Sequence, residues 1–192
     1  MLGVSLCLAA PAYGDDETEA TKPTPAQRTV VELRSDRILL LDIAQVDNRI
    51  TAVGERGFAL VSDDGGETWR GLPTPVTRTL TGVAFKDAKV GVAVCHGVSF
   101  VRTEDGRATW SEVTVDEAGP DSLLGVTHLA GDHFIAYGAF GLYFDSQDAG
   151  KTWQRVTVLS EDFDRHISQI IVVGNSLLLV AESGTLARSD DA

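Results

Sequence analysis

The octapeptide Ser62-Asp63-Asp64-Gly65-Gly66-Glu67-Thr68-Trp69 recurs as Ser146-Gln147-Asp148-Ala149-Gly150-Lys151-Thr152-Trp153. A weaker copy, Thr103-Glu104-Asp105-Gly106-Arg107-Ala108-Thr109-Trp110, stands between them, and a fragment, Ser189-Asp190-Asp191-Ala192, closes the sequence. The third-position residues Asp64, Asp105, Asp148 and Asp191 are separated by 41, 43 and 43 positions. A constant period in the low forties is the mark of a repeat architecture, in which each unit buries its apolar face against its neighbours.

Aligning the copies exposes the rest of the unit. Ahead of each box comes an apolar, β-branched run (50–54, 91–95, 134–138 and 177–181), a glycine-bearing connection, and a second short run with period-two alternation. These are hairpin signals. A further strand is predicted before each pair, over 38–43, 80–85, 123–129 and 167–173, and the box leads into a last strand opened by its tryptophan. Four strands of about five residues each form one blade of a β-propeller. No stretch sustains a 3.6-residue period, so the expected class is all-β, with essentially no helix. The sequence holds about three and a half such units, against roughly 4–8 blades in closed propellers, which leads to the expectation that it is truncated.

The box letters have a physical reading. The side chains of Ser62 and Asp64 can accept hydrogen bonds from turn amides, as in Asx and Ser turns. Gly65 and Gly66 permit positive φ without a Cβ clash. Trp69, Trp110 and Trp153 can each bury an indole between neighbouring sheets. Arg107 stands where the other copies have the second glycine, so a distorted turn is expected there. The residues read as structural are therefore Ser62, Asp64, Gly66, Thr68 and Trp69, then Asp105, Thr109 and Trp110, then Ser146, Asp148, Gly150, Thr152 and Trp153.

The pattern resembles the Asp-box, or BNR, repeat, Ser-x-Asp-x-Gly-x-Thr-Trp. The longer unit, with Leu80-Thr81-Gly82-Val83-Ala84-Phe85, Gly91-Val92-Ala93-Val94, a glycine turn and a box, is similar to the photosystem II stability/assembly factor-like propellers. That resemblance implies a binding or assembly scaffold without chemistry of its own, whose boxes lie at the blade periphery. Sialidases and other glycoside hydrolases also carry Asp boxes, so the alternative is a secreted carbohydrate-active propeller that binds or cleaves glycans. In sialidases an early Arg-Ile-Pro supplies one arginine of the substrate-carboxylate triad; the nearest match, Arg37-Ile38-Leu39, lacks the proline. The tyrosine nucleophile of that family would have to be Tyr137 or Tyr143, and both fall in predicted strands.

A propeller carries two sets of loops on the face opposite its boxes, the hairpin connections and the links between blades. Loops on a rigid scaffold commonly carry recognition, and arginine and aromatic side chains make effective anchors. Arg56, Arg78, Phe163 and Arg165 are the expected partner-binding residues, the partner being a protein. No catalytic residue is assigned. Cys95-His96 reads as a buried thiol beside a turn imidazole, and neither the cysteines nor the histidines show metal-ligand spacing, so no metal or cofactor is expected.

A formal net charge of −12 opposes phosphate-backbone binding, so no nucleic-acid partner is expected. Residues 1–14 read as a signal peptide, an apolar run ending in Ala10-Pro11-Ala12 that is too short to span a membrane. Residues 15–28 are acidic and Thr/Pro-rich and read as a flexible linker. The partial propeller occupies 29–192, with blades at about 37–72, 80–115, 122–158 and 167–192, and the expected location is periplasmic or secreted.

Overall fold

Each β-branched run turns back on itself through left-handed backbone. Arg56 and Gly57 (φ 60° and 69°), Phe140 and Gly141 (52° and 69°), and Ser183 and Gly184 (58° and 72°) occupy the same connection in three repeats. Two successive positive φ values match the right-handed twist of the flanking strands, the geometry of a tight hairpin. The computed structural model describes residues 38–106, 109–115 and 119–190. The expected leader and linker, Arg37, the distorted turn at Arg107 and the last box aspartate Asp191 lie outside the described residues.

Four antiparallel sheets follow in chain order, each a simple meander. The first comprises β1 (Leu40–Val46), β2 (Arg49–Gly54), β3 (Phe58–Ser62) and β4 (Arg70–Pro73). The second comprises β5 (Leu80–Phe85), β6 (Gly91–Cys95), β7 (Phe100–Thr103) and β8 (Ser111–Val113). β9 (Leu123–His128), β10 (Phe134–Gly138), β11 (Tyr143–Ser146) and β12 (Gln154–Arg155) make the third. β13 (Ile167–Val173), β14 (Ser176–Ala181) and β15 (Thr185–Ser189) make the fourth, three-stranded among the described residues. This is an all-β partial propeller, as the repeat predicts. Among the described residues the helical pieces are single 3₁₀ turns at Glu55–Gly57 and Ala139–Gly141.

Two details differ from the expectation. β1 starts at Leu40 and runs to Val46, because the Leu39 carbonyl is taken by the Glu55 amide and the register slips between Leu40 and Asp42. The last strands are short and begin one residue after each tryptophan. The tryptophans thus precede the outer strands and serve as packing groups.

The core lies between sheets. Val53, Val61 and Leu72 of the first sheet meet Val83, Ala93 and Trp110 of the second. Val92, Val94 and Phe100 of the second meet Phe134, Phe144 and Trp153 of the third. Ile135 and Tyr137 of the third meet Ile167, Ile170 and Leu179 of the fourth. Phe100, Phe134 and Phe144 are fully buried, each stabilising the row by about 1.5–3 kcal/mol. The innermost strands are also tied by side chains. The Val83 amide donates to Asp42 (2.8 Å), the Thr81 hydroxyl to the Leu123 carbonyl (2.8 Å) and the Thr127 hydroxyl to the Ile170 carbonyl (2.9 Å).

Candidate functional site

The two ends of the row differ in chemistry. At one end stand the boxes. In the third blade the Ser146 hydroxyl donates to Asp148 (2.9 Å) and accepts from the Gly150 amide (2.9 Å). The amides of Lys151 (3.0 Å) and Thr152 (2.9 Å) and the Thr152 hydroxyl (2.7 Å) all donate to Asp148. The first box repeats this: Asp64 accepts from Ser62 (2.7 Å), the Thr68 amide (2.9 Å) and the Thr68 hydroxyl (2.6 Å). In the middle box Asp105 still takes the Thr109 hydroxyl (2.7 Å), but the amide donor to Thr103 moves to Gly106.

Both carboxylate oxygens of Asp64 and of Asp148 thus accept hydrogen bonds within the turn. The Thr68 hydroxyl and amide, with Ser62, hold Asp64 down at about 2. Asp148 is also lowered; burial opposes this, and the bonds from Thr152, Ser146 and Lys151 outweigh it. Such groups stay ionised and are poor general acids.

The three indoles do not behave alike. Trp153 is 8% exposed and Trp110 9%, but Trp69 is 40% exposed, with its Nε1–H donating to the Gly66 carbonyl at 3.0 Å. Each box indole packs against the preceding sheet, and among the described residues no sheet precedes the first. Two arginines strap neighbouring blades at this end. Arg49 donates to the Gly106 carbonyl (2.9 Å) and Arg102 to the Ala149 carbonyl (2.6 Å), the same box position in successive blades.

At the opposite end, hairpin turns and interblade links are bonded to one another. The His96 amide donates to the Thr79 carbonyl (3.0 Å), Ala139 to Ser122 (2.9 Å), Gly141 to Arg165 (2.9 Å) and Glu182 to His166 (3.1 Å). A cleft of about 510 Å³ opens here between the second and third blades, lined by Arg78, Thr79, His96, Gly97, Pro120 and Ser122. The guanidinium of Arg78 lies over Gly97, where a Cβ would come within 3.0 Å of it. The His96 ring contacts the Ser122 hydroxyl at 3.1 Å.

Of the four residues expected to bind a partner, Arg56, Arg78 and Arg165 are exposed at this end. Arg78 belongs to the cleft, whereas Arg165 bonds Thr185 (3.0 Å) beside the fourth blade. No hydrogen bond or ion pair among the described residues joins the three arginines. Phe163, the fourth, is half-buried and packs into the cluster between the third and fourth sheets, because its link tucks under Gly141. The exposed aromatic is Phe140, 54% exposed on its hairpin turn, with its ring 4.7 Å from that of His166.

The remaining reactive groups are structural in setting. Cys95 is fully buried in β6, and burial pushes its thiol up to about 11. Burial likewise raises Tyr137, and raises Tyr143 to about 12, the reverse of what a nucleophilic phenol needs.

Comparison with known proteins adds a family and a set of folds. The family model described as photosynthesis system II assembly factor YCF48 matches residues 69–192. No curated protein matches the chain. Among solved structures, YCF48 bound to a D1 peptide superposes with a TM-score of 0.62 at 21% identity, over 76% of this chain and 49% of that one. YCF48 from Cyanidioschyzon merolae gives 0.62 at 20% identity, over 77% and 51%. An ancestral GH74 enzyme gives 0.61 at 18% identity, over 79% and 23%. At these identities the likeness establishes the fold, and the chain spans about half the length of the YCF48 structures.

Proposed function

This chain belongs to the photosynthesis system II assembly factor YCF48 family, and from that premise we propose that it is a non-catalytic propeller that captures a protein partner on the loops opposite its boxes. The observation that carries this reading is the Arg78–His96–Ser122 cleft, an open, polar hollow held by backbone bonds between turn and link. A preformed surface loses little entropy on binding. Arg78 supplies a charge-assisted donor for a carboxylate or peptide carbonyl, and Phe140 an exposed ring. The solved YCF48 carrying a D1 peptide is in keeping with a peptide segment as ligand. We further infer export to the periplasm or beyond, from the apolar run and small residues at 2–12.

Panning a displayed random-peptide library against the folded chain tests the reading. The selected peptides should bind about tenfold or more weaker to Arg78→Glu and Phe140→Ala. They should bind Asp64→Asn as they bind the unmodified chain. Peptides indifferent to both loop substitutions, or measurable turnover of a fluorogenic sialoside or a glucan, would overturn it.

A further inference from the structure

Phe140 carries a ring that the fold does not use. It stands 54% exposed on the third hairpin and belongs to none of the three core clusters. The turn does not need a ring there, since the same left-handed position holds Arg56 in the first blade and Ser183 in the fourth. Its ring meets that of His166, with centroids 4.7 Å apart and planes 57° off. The Glu182 carboxylate accepts from the His166 amide (3.1 Å) and contacts Nδ1 of its ring (2.9 Å), which fixes the imidazole beside the phenyl group. The His166 amide and ring hold the Glu182 carboxyl below its ordinary range, so it stays ionised.

The link beneath this hairpin, Ser160-Glu161-Asp162-Phe163-Asp164-Arg165-His166, carries three carboxylates and one guanidinium. The Arg165 carbonyl accepts from the Gly141 amide (2.9 Å), and the Phe163 carbonyl would lie 2.3 Å from a Cβ on Gly141. Asp164 therefore sits between two residues that touch the hairpin. Asp162 and Asp164 are exposed, whereas the guanidinium of Arg165 is turned to the Thr185 hydroxyl (3.0 Å). Solvated carboxylates alone are ordinary surface. An exposed aromatic face among them attracts a cation through both its quadrupole and the surrounding charge.

The ring also adjoins the Arg78 cleft. Ser122, whose hydroxyl meets His96 there, accepts through its carbonyl from the Ala139 amide (2.9 Å), immediately before Phe140. The two places lie one blade apart. Packed sheets stand ~10 Å apart and an extended chain advances ~3.3 Å per residue, which makes the step about three to five residues of a bound peptide.

Given peptide capture at the Arg78 cleft, we propose that Phe140 forms a second subsite, which takes a lysine or arginine side chain of the same peptide. The ligand is a segment of mixed charge, with an acidic residue on Arg78 and a basic one about three to five positions away, over Phe140 and beside Asp164. The acidic link rejects a wholly acidic segment by repulsion, so the second subsite supplies selectivity.

The probes are peptides panned against the folded chain whose binding requires Arg78, labelled with fluorescein and read by anisotropy. Replacing their basic residue by Gln should weaken binding about tenfold. Phe140→Leu keeps an apolar side chain and removes the aromatic face; at an exposed position it spares the fold, which circular dichroism checks. It should weaken the parent peptide about three- to fivefold and leave the Gln peptide unchanged. Asp164→Asn should show the same selective loss. Arg78-dependent peptides without a basic residue, or a Phe140→Leu loss equal for parent and Gln peptides, overturn the second subsite and leave the cleft standing. Panning that yields no Arg78-dependent peptide overturns both.

Discussion

The indole of Trp153 lies nearly parallel to the ring of Phe100, with centroids 4.3 Å apart and planes 20° off. One residue belongs to a box and the other to the sheet before it, so this stack joins two blades. Trp153→Ala removes a buried ring at that joint and should cost about 3–5 kcal/mol. Trp69→Ala, at a 40%-exposed position, should cost well under that. Urea unfolding of both variants checks the ranking; equal losses would contradict the packing order.

The box carboxylates set an acid limit. Asp64 is held at about 2, below its ordinary 3.8, chiefly by the Thr68 hydroxyl and amide. A depressed carboxylate stabilises the fold fully above its unfolded value and loses that contribution as pH falls through the folded one. Asp148 shifts in the same direction. Carbon-13 titration should therefore find the Asp64 carboxyl still ionised near pH 3, with stability declining between 3.8 and about 2. A titration midpoint at the ordinary value would show that the turn bonds do not form.

Cys95 should be inert in the folded chain. Its thiol is fully buried and raised to about 11, so almost no thiolate exists at pH 8. Iodoacetamide should label it slowly in buffer and rapidly in urea, as followed by intact mass. Fast labelling of the native chain would place the thiol outside the core.

Two box glycines at matching turns should respond differently to alanine. Gly150 has φ 79°, and a Cβ there would meet Val92 Cγ2 at 2.4 Å, so blade contact is lost along with backbone comfort. Gly65 has φ 74° with nothing within 4 Å, leaving only the left-handed penalty of about 1–2 kcal/mol. Thermal unfolding should rank Gly150→Ala clearly below Gly65→Ala.

How far these features can be read from the chain depends on whether they repeat. The box turns, the meander and two of the four first-strand predictions (80–85 and 167–173) follow from columns that recur. Arg49 and Arg102 were not legible: they reach equivalent carbonyls from β2 and β7, and no alignment of the repeats puts them in one column. Trp69 shares its letter with Trp153 but not its burial, because burial depends on the neighbouring sheet and not on the box. Phe163 and Phe140 differ in burial for a similar reason. Both are loop aromatics in the sequence, and only the link folded beneath Gly141 decides which ring is covered.

The account's central claim is that the boxes build the blades while recognition belongs to the opposite loops. One pair of substitutions tests it most directly, each read for both stability and affinity toward a selected peptide. Asp148→Ala should lower unfolding stability by about 1–3 kcal/mol through its lost turn bonds and leave the affinity unchanged. Arg78→Glu should leave stability within about 0.5 kcal/mol and weaken binding about tenfold or more. The reverse pattern, binding lost with Asp148 and retained without Arg78, would contradict the account.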